Sequence, residues 1–222
     1  MQRVVEPELM DDDAQALAYA RADFSEPNQR FVASFSESFP RFAARSVLDL
    51  GCGPGDIVLR LADALPHCQV HGLDGSAPML AHAAAALRAR PDLADRVRFI
   101  EGLLPDPTLP LPRYDAVISN SLLHHLHEPA VLWRAVRECG QPGAAVLVMD
   151  LYRPPSLQQA QAVVDLYAAH EPEILRRDFY NSLCAAFEPA EVRCQLADWG
   201  LHTLEVRTVS DRHLLISGHL PA

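Results

Sequence analysis

Two stretches of this sequence hold residues whose types and spacing could do chemistry. Residues 49–56 read DLGCGPGD, three glycines at alternate positions between two aspartates, and Asp74 closes the next apolar run. Gly51, Gly53 and Gly55 let a backbone turn sharply and approach a ligand closely. Asp74, at the end of a second strand-like run, can accept both hydroxyls of a ribose. The second stretch, residues 119–129, reads SNSLLHHLHEP and carries His124, His125 and His127. Such a cluster suits a metal, a catalytic base or plain packing. A metal needs at least three converging ligands. In extended chain His124 and His125 point to opposite faces, and in a helical turn His124 and His127 share a face without His125. The expectation is therefore no metal, with His125 facing substrate, His124 buried, and His127 beside a helix start at Glu128-Pro129.

The elements that must position these residues alternate. SVLDLG is a buried strand ending in glycine, and DIVLRLADALP is an amphipathic helix stopped by Pro66. QVHGLD is a strand, and the following helix has Ser76 as cap and Pro78 in its first turn. RVRFIEG and YDAVISNS are strands, EPAVLWRAVRECG is a helix closed by Gly140, and AAVLVMDL is the fifth strand. This alternation predicts an α/β fold with a parallel, doubly wound sheet and helices on both faces. Two more strands, LHTLEVRTV and HLLISGHL, are separated by a turn too short for a crossover, so they are antiparallel. The sheet is thus seven-stranded and mostly parallel, with its last strand antiparallel. Helices at 11–24 and 28–39 form an N-terminal cap over residues 1–42, which suits a lid or a dimer contact. Residues 151–187 form a strand-free helical insertion. All of this makes one domain over residues 1–222.

Composition narrows the partners. The formal net charge is −10 and the basic residues are scattered, which argues against a protein that grips phosphate backbones. No run reaches the ~18 apolar residues of a membrane span, and the N-terminus has no signal-peptide pattern. Five cysteines, an odd number without a CxxC pair, predict neither a disulfide framework nor a thiolate zinc site. A reducing cytoplasm is the expected location.

In an open parallel sheet, ligands sit at the carboxyl ends of the strands. The motifs at those ends, VLDLGCGPGD, then GLDGSAPML, then YDAVISNSLLHHL, resemble a class I S-adenosylmethionine-dependent methyltransferase. The resemblance covers residues 45–150 by motif and 188–219 by topology. It implies S-adenosylmethionine as cofactor. Asp49, Gly51, Cys52 and Gly53 would line its methionine moiety, and Asp74 would take the ribose hydroxyls. Gly75, Ser76 and Met79 would flank the adenine. Many members carry an acid two residues past the third strand for the adenine amino group; here that position is Leu103. The backbone at Leu103 and Leu104, or Asp106, is left to serve. Asn120, Ser121 and Leu122 would contact the methionine end.

The sulfonium already activates the methyl group, so the protein chiefly aligns an in-line displacement and excludes water. A base is needed only for a protonated acceptor; His125, Tyr19 and Tyr180 are the catalytic candidates. Phe24, Arg153, Asn181 and His213 are the candidate substrate contacts, Arg153 with a salt bridge to Asp150 or Asp178 as its alternative role. With this charge the expected substrate is a small molecule. A nicotinamide oxidoreductase could use the same sheet, but Asp56 stands where its fingerprint has a third glycine. A non-enzymatic cofactor-binding protein, or a different reaction of the same cofactor, are the other readings.

Overall fold

Short apolar runs become strands in this chain because helices cover them from both sides. The structure, a computed structural model, describes every residue except Ala44 and Asp106, so the proposed adenine contact at Asp106 lies outside the described residues. Seven strands form one sheet: β1 Ser46–Leu50, β2 Gln69–Asp74, β3 Val97–Glu101, β4 Tyr114–Asn120, β5 Gly140–Leu151, β6 Leu204–Thr208 and β7 His213–His219. Their order is β3-β2-β1-β4-β5-β7-β6. All neighbours from β3 to β5 are parallel, and β7 runs antiparallel to both β5 and β6. The expected seven-stranded, doubly wound sheet is present. Strand order reverses between β1 and β4, and there the carboxyl ends diverge to leave a crevice.

Among the described residues eight α-helices complete the fold: α1 Asp13–Arg21, α2 Ser25–Ser38, α3 Asp56–Ala64, α4 Ala77–Arg88, α5 Ala130–Cys139, α6 Leu157–Tyr167, α7 Glu173–Ala185 and α8 Pro189–Asp198. β1 is buried throughout, as a central strand between two helical layers must be. Its side chains alternate. Val47 packs with Phe31, Phe35, Val58 and Leu61 of α2 and α3. Leu48 and Leu50 pack with Leu132, Trp133, Val192 and Leu196 of α5 and α8 on the other face. Each fully buried aliphatic side chain of this kind contributes about 1.5–3 kcal/mol.

Helix starts follow local chemistry. Asp12 accepts the amide of Gln15 at 2.9 Å, and Ser76 accepts the amide of Met79 at 3.3 Å. The fifth strand begins earlier than its apolar run suggests. Gly140 already pairs with Tyr114, and a register shift between Tyr114 and Ala116 lets the ladder resume at Ala145. The insertion after β5 is helical as expected: Ala160 and Val164 of α6 pack against Leu183 and Cys184 of α7.

Residues 1–12 form neither helix nor strand. They make a strap instead. Arg3 donates to the carbonyls of Ala185, His124 and Leu126 and lies 3.9 Å from the ring centroid of Phe187. Val4 donates to the carbonyl of Cys184 at 3.0 Å. No helix among the described residues is long and apolar enough to cross a membrane.

Candidate functional site

The chain turns from β1 into α3 through the three glycines, and this turn is the floor of the site. Gly51 and Gly55 have φ of +74° and +86°, values that disfavour any residue with a Cβ. A Cβ on Gly51 would lie 2.9 Å from the Leu122 side chain, and one on Gly55 would lie 2.4 Å from the Phe99 ring. The turn is clamped to the end of β2. Gly51 and Cys52 donate to the Leu73 carbonyl at 2.8 and 3.0 Å, and Gly53 donates to Asp74 Oδ2 at 2.7 Å. The other Asp74 oxygen accepts the Ser76 amide at 2.8 Å.

A cavity of about 720 Å³ opens above this floor. Every cofactor candidate lines it, from Asp49 through Leu122, as do Tyr19, Phe24 and His125. Asp49 is 1% exposed, and its Oδ1 is buried without a hydrogen-bond partner. Burial, with the nearby Asp74 charge adding to it, holds its carboxyl well above the usual carboxylate range. Asp74 is raised as well, by burial, against the backbone donors that favour its ionised form. Leu103 is 62% exposed at the rim. The wall also holds Glu8, Asp56 and Glu128. Asp56 accepts from Asn28 at 2.8 Å and from Arg60 at 2.6 Å. Among the described lining residues there is no lysine or arginine.

Tyr19 and Phe24 pack ring against ring, 4.7 Å between centroids. Burial, helped by the Asp74 and Asp150 charges, pushes the Tyr19 hydroxyl up to about 12. Burial and the neighbouring His124 push His125 down to about 3. Near neutral pH Tyr19 therefore keeps its proton and His125 is a neutral imidazole, so neither is suited to the role of a strong base.

The histidine stretch corrects the sequence-based expectation. Its chain is neither extended nor helical. Ser121 takes φ +57°, and two tight turns follow, His125 amide to Leu122 carbonyl and Leu126 amide to Leu123 carbonyl. That geometry brings the His124 and His125 rings to 4.2 Å between centroids instead of sending them to opposite faces. His124 is 3% exposed, as expected, and its Nδ1 lies 2.5 Å from Asp150 Oδ1. Burial works against its charge, but Asp150 and Glu6 outweigh it and raise its pKa. His127 serves the strap: its amide donates to Glu8 at 2.7 Å, and its Nε2 lies 2.7 Å from the Glu6 carbonyl.

Four candidates lie elsewhere. Tyr180 faces the α6–α7 cluster beside Cys184, because the helical insertion buries its own inner face. Asn181, one position on, is exposed. Arg153 is buried and committed: it donates to the Ala186 carbonyl at 2.9 Å and reaches Glu188 and Glu191 at 3.2 and 2.9 Å. Its partners are thus the start of α8, not Asp150 or Asp178. His213 caps the turn into β7, its Nδ1 3.0 Å from Ser210 Oγ. Conversely, Glu8, Leu9 and Met10 line the cavity without having been singled out. The first ten residues show no periodicity that would mark them.

Comparison with known proteins agrees with this geometry. Residues 48–146, from β1 into β5, match the family model described as a methyltransferase domain. An uncharacterized methyltransferase of Mycobacterium tuberculosis is 31% identical over 108 residues, 49% of this chain and 51% of that protein. A trans-aconitate 2-methyltransferase of the same species is 37% identical over 132 residues, 58% of this chain and 45% of that protein. The chain spans about half the length of these relatives. Among solved structures, phospholethanolamine N-methyltransferase 2 of Haemonchus contortus, in complex with phosphomonomethylethanolamine and S-adenosylhomocysteine, superposes with a TM-score of 0.70. It is 15% identical, over 95% of this chain and 58% of that one, and shows the shared fold. Sheet order, glycine turn and the match over residues 48–146 together make the chain similar to methyltransferases in its fold and across its central segment.

Proposed function

We propose that the chain binds S-adenosylmethionine in this cavity and transfers its methyl group to a small, uncharged or cationic acceptor. The observation that carries the reading is Asp49 Oδ1, shut off from water beside the glycine turn and without a partner. Such an atom is an unpaired acceptor open to a donor, and the cofactor's α-ammonium is one. Asp74 would take the ribose hydroxyls. Gly75, Ser76 and Met79 stand where adenine would pack, with the Leu103 and Leu104 backbone for its amino group. Asn120, Ser121 and Leu122 line the methionine end. When bound, the cofactor supplies a methyl group already activated by its sulfonium.

The chain's own residues orient the acceptor and exclude water. Tyr19 is a hydrogen-bond donor to an acceptor, and His125 offers it a neutral ring. The lining has carboxylates and, among the described residues, no lysine or arginine. A polyanion such as trans-aconitate would meet repulsion there, so the relative's named substrate is not carried over.

Calorimetry with S-adenosylmethionine, S-adenosylhomocysteine and NADH tests the reading. The first two should bind with micromolar or better affinity and the third should not. Asp74→Ala should abolish binding by removing the ribose acceptor. Absence of binding to either sulfur compound sinks the proposal. A cofactor-binding protein without turnover is the second reading, supported by the proton-holding Tyr19 and the neutral His125. Cofactor binding with no methylation across a panel of phenols, amines and thiols would favour it.

A further inference from the structure

We propose that Glu6, His124 and His125 form a site for a divalent first-row transition ion, Zn²⁺ fitting best, at the rim of the cavity. Glu6 Oε1 lies 3.6 Å from His124 Nε2 and 3.3 Å from His125 Nδ1, and the three donor atoms all fall within 4.8 Å of one another. These separations exceed a well-formed N–H···O bond. They match the spacing of about 3.4 Å between two ligands held at about 2.1 Å on a tetrahedral ion.

Two further observations point to a cation. Glu6 is 10% exposed, and its Oε1 is buried with no hydrogen-bond partner; Ser182 bonds the same carboxylate. A carboxylate oxygen closed off from water needs a positive partner. Asp150 Oδ1 holds His124 Nδ1 at 2.5 Å, which leaves Nε2 directed at Glu6. A carboxylate gripping the far nitrogen of a ligand histidine is the arrangement that orients metal-bound imidazoles. The contact of His125 Nδ1 with the Pro7 carbonyl is long, 3.4 Å, and gives way to an ion at little cost.

Two imidazoles and one carboxylate favour zinc and its transition-metal neighbours over magnesium or calcium, which take oxygen. Three protein ligands leave a fourth position open, as in catalytic and not structural zinc sites. His125 lines the cavity, so the site lies beside the space assigned to the acceptor. An ion there would supply the positive charge the lining lacks and would polarise a neutral hydroxyl group. That use rests on the methyl-transfer reading; the binding of the ion does not. Because the ligands come from residue 6 and from residues 124 and 125, the ion would also staple the N-terminal strap over the cavity.

The test uses the full chain, stripped with a chelator. Co²⁺ is titrated by visible absorption and Zn²⁺ by calorimetry. One equivalent of each should bind, cobalt giving the intense bands of a four-coordinate site. Glu6→Gln and His125→Ala should abolish stoichiometric binding, and Asp150→Asn should weaken it about 10–100-fold. His202→Ala and Cys194→Ser, both exposed, should leave it unchanged. No stoichiometric binding, or binding indifferent to Glu6→Gln and His125→Ala, overturns the proposal and leaves an Asp150–His124–Glu6 polar cluster. If a variant fails to fold, the wild-type cobalt spectrum still decides, since loosely held surface ions give only weak bands. S-adenosylhomocysteine binding, measured on the same samples, reports separately on the cofactor reading.

Discussion

The Ser76 hydroxyl donates to the Met10 carbonyl at 2.7 Å while accepting the Met79 amide at 3.3 Å. One oxygen thus caps α4 and ties down the end of the N-terminal strap, directly beside Asp74. Ser76→Ala removes both bonds. The lost cap alone should cost about 1 kcal/mol, read as a lower denaturation midpoint. A second effect should be local: amides of residues 3–12 should exchange hydrogen faster, while those of β1 and β4 keep their relative protection. Uniform loss of protection would mean that the strap is not held separately.

The glycine turn makes a sharper demand. Gly51→Ala forces a Cβ into a left-handed backbone, at about 1–2 kcal/mol, and against Leu122. Leu122 lines the cavity, so its displacement should reach the ligand. S-adenosylhomocysteine affinity should fall at least tenfold, and the double variant Gly51→Ala/Leu122→Ala should recover part of it. If the second substitution restores nothing, backbone strain is the whole effect.

These two residues mark what could be read from the sequence. Gly51 announces itself, because a buried apolar run ending in alternate glycines has few uses other than a turn at a strand end. The sheet was legible for the same reason: β1 is apolar on both faces because both faces are covered. The strap was not. Arg3, Glu6 and Met10 are held by bonds to distant carbonyls and side chains, and no periodicity records such contacts. The pairing of His124 with His125 escaped because it depends on one left-handed residue, Ser121, which is not a glycine. Tyr180 and Arg153 were misplaced because a helical insertion has its own interior: Tyr180 packs within it, and Arg153 is spent joining it to α8.

Asp49 makes the free protein and the complex respond oppositely to pH. Its native pKa lies above the ordinary 3.8, so from about pH 4 upward the native state keeps a proton that the unfolded chain has lost. Asp74 acts in the same direction. The free protein should therefore lose stability as pH climbs toward the native values. A cationic ligand group prefers the ionised carboxylate. Binding of S-adenosylhomocysteine should release protons over this interval, and affinity should rise with pH. Calorimetry in buffers of different ionisation enthalpy counts the protons. Asp49→Asn should reduce the count and flatten the pH dependence, and an unchanged count would remove Asp49 from the ammonium site.

Arg153 gives the clearest contrast between a structural and a substrate-binding arginine. Its head is buried, while Glu188 and Glu191 remain more than 40% exposed, so solvent screens the charge pairing. What remains is the hydrogen bond to the Ala186 carbonyl and the packing of the stem. Arg153→Met keeps most of the stem and removes the bonds, at about 2 kcal/mol of stability. S-adenosylhomocysteine affinity and the Michaelis constant of any identified acceptor should be unaffected at temperatures where the variant is folded. Urea melts followed by binding at low temperature separate the two quantities. A weakened acceptor interaction without loss of stability would return Arg153 to the substrate site.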